Sequence, residues 1–324
     1  MRTFALACVL AAAVIIPCAA QAQAAYPSKP VRFVVPYPAG GATDYVARLI
    51  GERLSKSLGQ PVLIDNKSGA AGAIGVAEVA KATPDGYTVL ITINDPLVNN
   101  TALFKTLPYD PRKDLAFVAQ ILRSPAVISA TPGLGAKNFA EFRAMAMPDR
   151  KLSYASWGIG GLGHLAGESL NQQLKAQMVH VPQRGEGPVV QDLLAGTVSV
   201  GLSSVATALP HIASGKVIAL AMMGKERSTA LPNVPTLREL GFSDPLYETS
   251  VWMAALVPAQ TPAPVVQKLS SEIRAIANSA EVRKLLVERG FEMMVTTPEQ
   301  AQEIYKAEFE LVTGRIRALG IEQQ

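Results

Sequence analysis

Two stretches of this chain share one design: a β-branched strand, a glycine-rich loop, and then a helix start. The first is Val31-Arg32-Phe33-Val34-Val35-Pro36-Tyr37-Pro38-Ala39-Gly40-Gly41-Ala42-Thr43-Asp44, running into residues 45–58. The second is Leu152-Ser153-Tyr154-Ala155-Ser156-Trp157-Gly158-Ile159-Gly160-Gly161-Leu162-Gly163-His164, running into residues 165–174. Glycine lets bare backbone N–H groups approach a ligand, and the helix N-terminus behind it adds unpaired donors and a partial positive charge. One such loop is an anion site. Two of them imply a jaw with a lip on each side.

The N-terminus points to export. Arg2, an apolar run over residues 4–16, a break at Pro17 and the pattern Ala22-Gln23-Ala24 read as a secretory signal peptide spanning residues 1–24. The apolar run is shorter than the roughly 20 residues a membrane span needs. Both cysteines, Cys8 and Cys18, lie in this leader. The remainder therefore has no disulfide, catalytic thiol or cysteine-ligated metal. With 49% hydrophobic and 17% charged residues, it has enough apolar material to hold a core without cross-links. The formal net charge of +4 includes Arg2; without polybasic runs or basic-aromatic alternation, it excludes nucleic acid as a partner.

Strand-like runs at 31–35, 62–64, 87–93, 126–130, 152–155, 178–181, 198–202, 217–222 and 251–257 alternate with helical stripes, which predicts an α/β fold with largely parallel sheets. Val46, Leu49, Ile50, Leu54 and Leu58 share one face of the first helix, and Gly59 sits where a C′ glycine belongs. The C-terminus differs in kind, with predicted helices at 265–278, 280–289 and 298–319 and with Ser279 and Thr297 as N-caps. No low-complexity linker divides the chain. Crossings are expected near residues 123–125 and 248–250. One domain would then comprise 25–124 with 249–324, and the other 125–248.

At this point the residues resemble the Bug family, the periplasmic substrate-binding receptors of tripartite tricarboxylate transporters. The likeness rests on Tyr26-Pro27-Ser28-Lys29-Pro30, Val35-Pro36-Tyr37-Pro38-Ala39-Gly40-Gly41 with Asp44, Gly59-Gln60-Pro61-Val62 and Pro84-Asp85-Gly86-Tyr87-Thr88. It continues through Leu107-Pro108-Tyr109-Asp110, His180-Val181-Pro182, Asp192-Leu193-Leu194-Ala195-Gly196, Leu231-Pro232-Asn233-Val234-Pro235-Thr236 and Pro258-Ala259-Gln260-Thr261-Pro262. The resemblance implies a two-lobed, type II-like Venus flytrap with a C-terminal helical extension. It implies a small carboxylate ligand between the lobes, membrane subunits of such a transporter as partners, a monomer, and no cofactor or metal. Carried over, the first lip is Tyr37, Pro38, Ala39, Gly40, Gly41, Thr43 and Asp44. The second is Ser156, Gly158, Gly160 and His164; Trp157, Gly161 and, at the end of a neighbouring strand, Ser203 are expected to face the ligand beside them.

This chain departs from the usual pattern at several places. Gly161 stands where a Ser or Thr is common, and Gln183 where a Tyr is usual. Ser203 replaces a frequent acid, which removes an ammonium partner. Trp157 replaces a small residue and offers a stacking face. Asp44, a like charge to any carboxylate ligand, is expected to organise the loop while backbone groups face the ligand.

Rival readings exist. Gly158-Ile159-Gly160-Gly161-Leu162-Gly163 fits a dinucleotide fingerprint, with Glu186 downstream and Arg184 placed for a 2′-phosphate, so an NAD(P)-dependent oxidoreductase is the alternative. A serine hydrolase using Ser156, Ser169 or Ser203 near His164 lacks a G-x-S-x-G elbow. The bland reading of His164 is a packing residue of a first helical turn, and Trp252 reads as core. His164, His180 and His211 have no metal-ligand spacing.

Overall fold

The computed structural model describes residues 26–323, so the expected leader and its cleavage site lie outside the described residues. The chain first builds β1 (Val31–Val35), α1 (Ala42–Leu58), β2 (Val62–Asn66), α2 (Ala73–Ala80), β3 (Thr88–Ile93), the short α3 (Asn100–Leu103) and α4 (Pro111–Asp114), and the long β4 (Leu115–Ser124). It then adds β5 (Ala126–Ala130), α5 (Phe139–Met145), β6 (Ser153–Ser156), α6 (Leu162–Leu174), β7 (Val179–Pro182), α7 (Glu186–Ala195), β8 (Val200–Ser204), α8 (Val205–Ala213) and β9 (Ile218–Met222). It closes with β10 (Val251–Pro258), α9 (Ala263–Asn278), α10 (Ala280–Val287), the two-residue β11 (Glu292–Met293) and α11 (Pro298–Ala318).

The strands form two sheets. The first has the order β11-β4-β10-β3-β1-β2, the second β7-β6-β8-β5-β9. β1, β2 and β3 are mutually parallel, with Phe33 opposite Ile64 and Val89, and β6 runs parallel to β7 and β8. β4 and β10 are antiparallel partners in the first sheet, and β5 pairs antiparallel with β8 and β9 in the second. The sheets are thus mixed, not largely parallel. In the first sheet the cause is β4, a ten-residue strand absent from the sequence reading, together with the return strand β10; in the second it is β5.

Alternation along β1 assigns its two faces. Val31, Phe33 and Val35 pack under Val46, Ile50 and Leu54 of α1 and under Leu269 and Ile273 of α9. Val34 points the other way, toward Val76 and Val79 of α2 and the α11 stripe Tyr305, Phe309, Val312 and Ile316. That second core continues without a break into Phe142, Tyr154, Leu165 and Leu202 of the second sheet's layer. Caps fix the C-terminal helices. Ser279 accepts from the Val282 amide, and Thr297 forms a reciprocal capping box with Gln300. α11 packs along β4, and Arg315 near its end pairs with buried Asp244, which also accepts from Ser169 of α6. The tail therefore holds both sheet layers. No described helix is long and apolar enough to cross a membrane.

Candidate functional site

Loops that leave the carboxyl ends of parallel strands converge, and in α/β sheets such loops are where ligands bind. A cleft of about 1160 Å³ lies between the two sheet layers. Its walls include Tyr37–Gly41 after β1, Ser68–Gly72 after β2, Asp95 and Asn99 after β3, Trp157, Gly158, Ile159 and Gly161 after β6, and Gln183–Pro188 after β7. Trp252, Met253 and Phe291 supply an apolar stretch of wall.

The first lip is built as an open helix start. Gly41 is the N-cap of α1 and no side chain caps it, so the amides of Gly41, Ala42 and Thr43 find no acceptor among the described residues. Asp44, whose type suits a capping role, is used elsewhere. It accepts from the Gly40 amide at 2.9 Å, Arg48 Nε at 2.9 Å and Asn66 Nδ2 at 3.0 Å. Burial alone would raise the Asp44 pKa, but these bonds from Arg48, Gly40 and Asn66 hold it below the usual carboxylate value. Asn66 also donates to the Tyr37 carbonyl at 3.0 Å, which ties the loop to β2. Two hydroxyls of cleft-lining residues, Tyr37 Oη and Ser124 Oγ, are buried and have no hydrogen-bond partner among the described residues.

The second lip is different. Gly161 is likewise an uncapped N-cap, of α6. The start of that helix is already met by a carboxylate of the chain itself, that of Asp95, which accepts from Trp157 Nε1 at 3.0 Å and from Asn99 Nδ2 at 3.2 Å. Burial pushes the Asp95 pKa up to about 6; the Trp157 hydrogen bond and the Leu162 backbone N–H oppose this, and the charge of Glu186 adds to it. Asn99 also donates to the Gly160 carbonyl at 2.8 Å, and Leu103 packs on the Gly160 Cα. Sequence reasoning expected both lips to face a ligand; here the second lines the cleft with Trp157, Gly158 and Gly161, while its helix start meets Asp95 of the β3–α3 segment.

Of the residues expected at the site, Tyr37, Pro38, Ala39, Gly40, Gly41, Thr43, Trp157, Gly158 and Gly161 line the cleft. Asp44, Ser156, Gly160, His164 and Ser203 do not. Ser156 and Ser203 are fully buried. Ser156 Oγ lies 2.8 Å from His180 Nε2, and Ser203 is locked opposite Val127 in the β5–β8 ladder. The Gly160 amide donates to His164 Nδ1 at 2.9 Å, so it is not free for a ligand. The His164 ring stacks on His180 at 3.9 Å. Burial lowers both histidine pKa values, that of His180 to about 4, and the rings are therefore neutral near pH 7. His164 is a packing residue. Trp252 is buried as expected, but it also touches the cleft and donates to Glu308 Oε2 at 2.6 Å.

Sequence reasoning missed Asp95, Asn99, the 69–72 loop and the acid Glu186 as cleft residues. Glu186 accepts from Ser204 Oγ at 2.5 Å and Thr207 Oγ1 at 2.6 Å. Ala70 and Ala71 have φ of 46° and 50°, a left-handed conformation costly for alanine, and Asn100 Nδ2 donates to the Ala71 carbonyl at 3.1 Å to hold it. No group of three metal-ligating side chains occurs among the described residues.

Residues 46–321 match the model of the tripartite tricarboxylate transporter family receptor. The chain belongs to this family. BugT of Bordetella pertussis is 33% identical over 298 residues, which cover 91% of this chain and 90% of that protein. The solved periplasmic binding protein BugD is similar at TM-score 0.83 and 31% identity, covering 92% of this chain and all of the other. An R. palustris protein solved with adipate is similar at TM-score 0.85 and 31% identity, again over 92% of this chain and 100% of its own. The mixed two-sheet architecture with its helical C-terminal segment is therefore that of a periplasmic solute-binding receptor.

Proposed function

We propose that the chain is exported through a cleavable signal peptide and, as a monomer, captures a small carboxylate in the cleft for the membrane subunits of a tripartite tricarboxylate-type transporter. Its lobes are residues 25–124 with 249–324, and 125–248. It is a receptor and not an enzyme. The observation that carries this reading is the uncapped first turn of α1: three cleft-lining amides without an acceptor, held in place by a buried carboxylate behind them. A ligand carboxylate completes those donors and meets the positive end of the helix.

The magnitudes suffice. Hydrogen bonds to a charged group contribute about 1.5–3 kcal/mol each, and a micromolar complex needs about 8 kcal/mol net. Three such bonds give about 4.5–9 kcal/mol, and apolar contact against Trp252, Met253 and Phe291 offsets the cost of association. The adipate-bound relative supports a carboxylate as the ligand class. The dinucleotide alternative finds no support, because the start of α6, where a pyrophosphate would sit, faces the Asp95 carboxylate. Calorimetry with hexanoate and hexanamide tests the reading. The acid should bind at least about tenfold tighter, a difference of about 1.4 kcal/mol. Equal binding would mean the cleft selects by shape and neutral hydrogen bonding.

A further inference from the structure

Asp95 follows β3, in the layer of the first sheet, yet its carboxylate lies against the helix start of the second. Trp157 Nε1 reaches it at 3.0 Å from across the cleft. Its Oδ2 is so close to Gly161 that a Cβ there would lie 3.0 Å away. Asn99 fixes the other oxygen and at the same time holds the Gly160 carbonyl. The place that a ligand anion would take at the start of α6 is thus taken by the protein's own carboxylate. Glu186, a second acid, lines the same wall, with its oxygens held by Ser204 and Thr207. Among the described residues, Arg184 is the one basic side chain of the cleft wall, and it is exposed, so its charge is screened by water.

We infer that Asp95 determines ligand specificity: by fixing a carboxylate at the second glycine-rich loop, it rejects ligands with a second carboxylate and favours monocarboxylates whose far end is neutral. This rests on the receptor reading above, in which the ligand's one carboxylate sits on α1. A diacid that spans the cleft brings its far charge toward Asp95 and Glu186 across walls that are partly apolar, where like charges repel strongly. A hydroxyl or amide at that end donates to those same oxygens. Discrimination therefore comes from a repulsive element built into the cleft, as well as from the attractive one on α1.

The probes are adipate, its half-amide adipamate, and the corresponding pair succinate and succinamate, titrated calorimetrically into the full exported chain at pH 8. For the unaltered protein each half-amide should bind about tenfold or more tighter than its diacid. In Asp95→Asn the preference should shrink to within about threefold or reverse, since the fixed charge is gone. If Asp95→Asn fails to fold by circular dichroism, the ratio in the unaltered protein decides alone. Diacids bound as tightly as half-amides by the unaltered protein would overturn the role of Asp95 and leave the receptor reading in place. An Asp95→Asn protein that folds and keeps the full preference would do the same. Adipamide and succinamide, the diamides, binding more tightly than either acid form would overturn both readings.

Discussion

Replacing Asp44 by alanine should weaken ligand binding, even though it removes a negative charge from beside a carboxylate site. The Asp44 side chain is only 4% exposed, whereas its partner Arg48 is 53% exposed, so that ion pair is largely screened. The bonds from the Gly40 amide and Asn66 are the buried ones, at 2.9 and 3.0 Å. Losing two hydrogen bonds to a charged acceptor, at about 1.5–3 kcal/mol each with partial replacement by water, should cost about 3 kcal/mol of stability. Freeing the backbone of one loop residue means re-ordering it on binding, at about 1–2 kcal/mol, or roughly a 5- to 30-fold loss of affinity. The stability term also has a pH signature. Because the folded pKa lies below the ordinary value of 3.8, the contribution is complete above that value and is lost as pH falls through the depressed one. Urea denaturation at pH 7 and in strong acid reads the first part, and titration calorimetry with hexanoate reads the second. Arg48→Ala, which spares the buried bonds, should change affinity less than about twofold. A folded Asp44→Ala protein that binds as well as the unaltered one, or better, would refute the idea that this carboxylate organises the lip.

Other expectations follow from named contacts. Gly160→Val should lower stability by about 2 kcal/mol or more, because a Cβ there would lie 1.9 Å from Leu103 Cδ1 and the backbone φ is +72°; Gly160→Val with Leu103→Ala should recover part of the loss in urea denaturation. Burial raises the Glu308 pKa to about 7 against 4.5, so the native state holds a proton that the unfolded chain releases, and this contribution to stability declines as pH rises from about 4.5 to 7. Glu308→Gln, which leaves Asp95 in place, should flatten that part of a stability–pH curve measured by urea midpoints. Trp157 and Trp252 are the two tryptophans of the chain, both on the cleft; Trp157→Phe should remove most of any ligand-induced fluorescence change if the second lip moves against the ligand. Thr297→Ala should cost about 1 kcal/mol through the lost cap of α11 and leave affinity unchanged.

The sequence carried the local chemistry better than the assembly. The period-3.6 stripe of α1, the left-handed Gly59 that ends it, and the Ser279 and Thr297 caps follow from residue type and spacing alone, and they stand where they were expected. β4 was not legible because Leu115-Ala116-Phe117-Val118-Ala119-Gln120-Ile121-Leu122 is apolar at every position but Gln120 and buried on both faces. Such a run has no period to separate strand from helix. The two glycine-rich loops could be read as helix starts, but not what fills them. Asp95 lies more than sixty residues from the Trp157 indole that it meets, and only the order of strands in the two sheets brings them together. A signal was present nonetheless: Asn94 and Asp95 are polar residues directly after an apolar parallel strand, the position where α/β proteins place ligand-facing groups. Ser156 and His164 misled because a polar side chain at the end of a strand or the start of a helix satisfies itself locally as readily as it faces a cleft; Ser203 misled because the β5–β8 ladder buries it away from the cleft, its hydroxyl without a partner among the described residues.

The most direct measurement is a crystal structure of the protein with a bound monocarboxylate such as hexanoate or adipamate. The carboxylate oxygens should lie within about 3 Å of the Gly41, Ala42 and Thr43 amides, with the Asp95–Trp157 hydrogen bond intact on the opposite wall. A carboxylate seated instead on Arg184, or on the start of α6 with Asp95 displaced, would contradict the assignment of the first turn of α1 as the anchor.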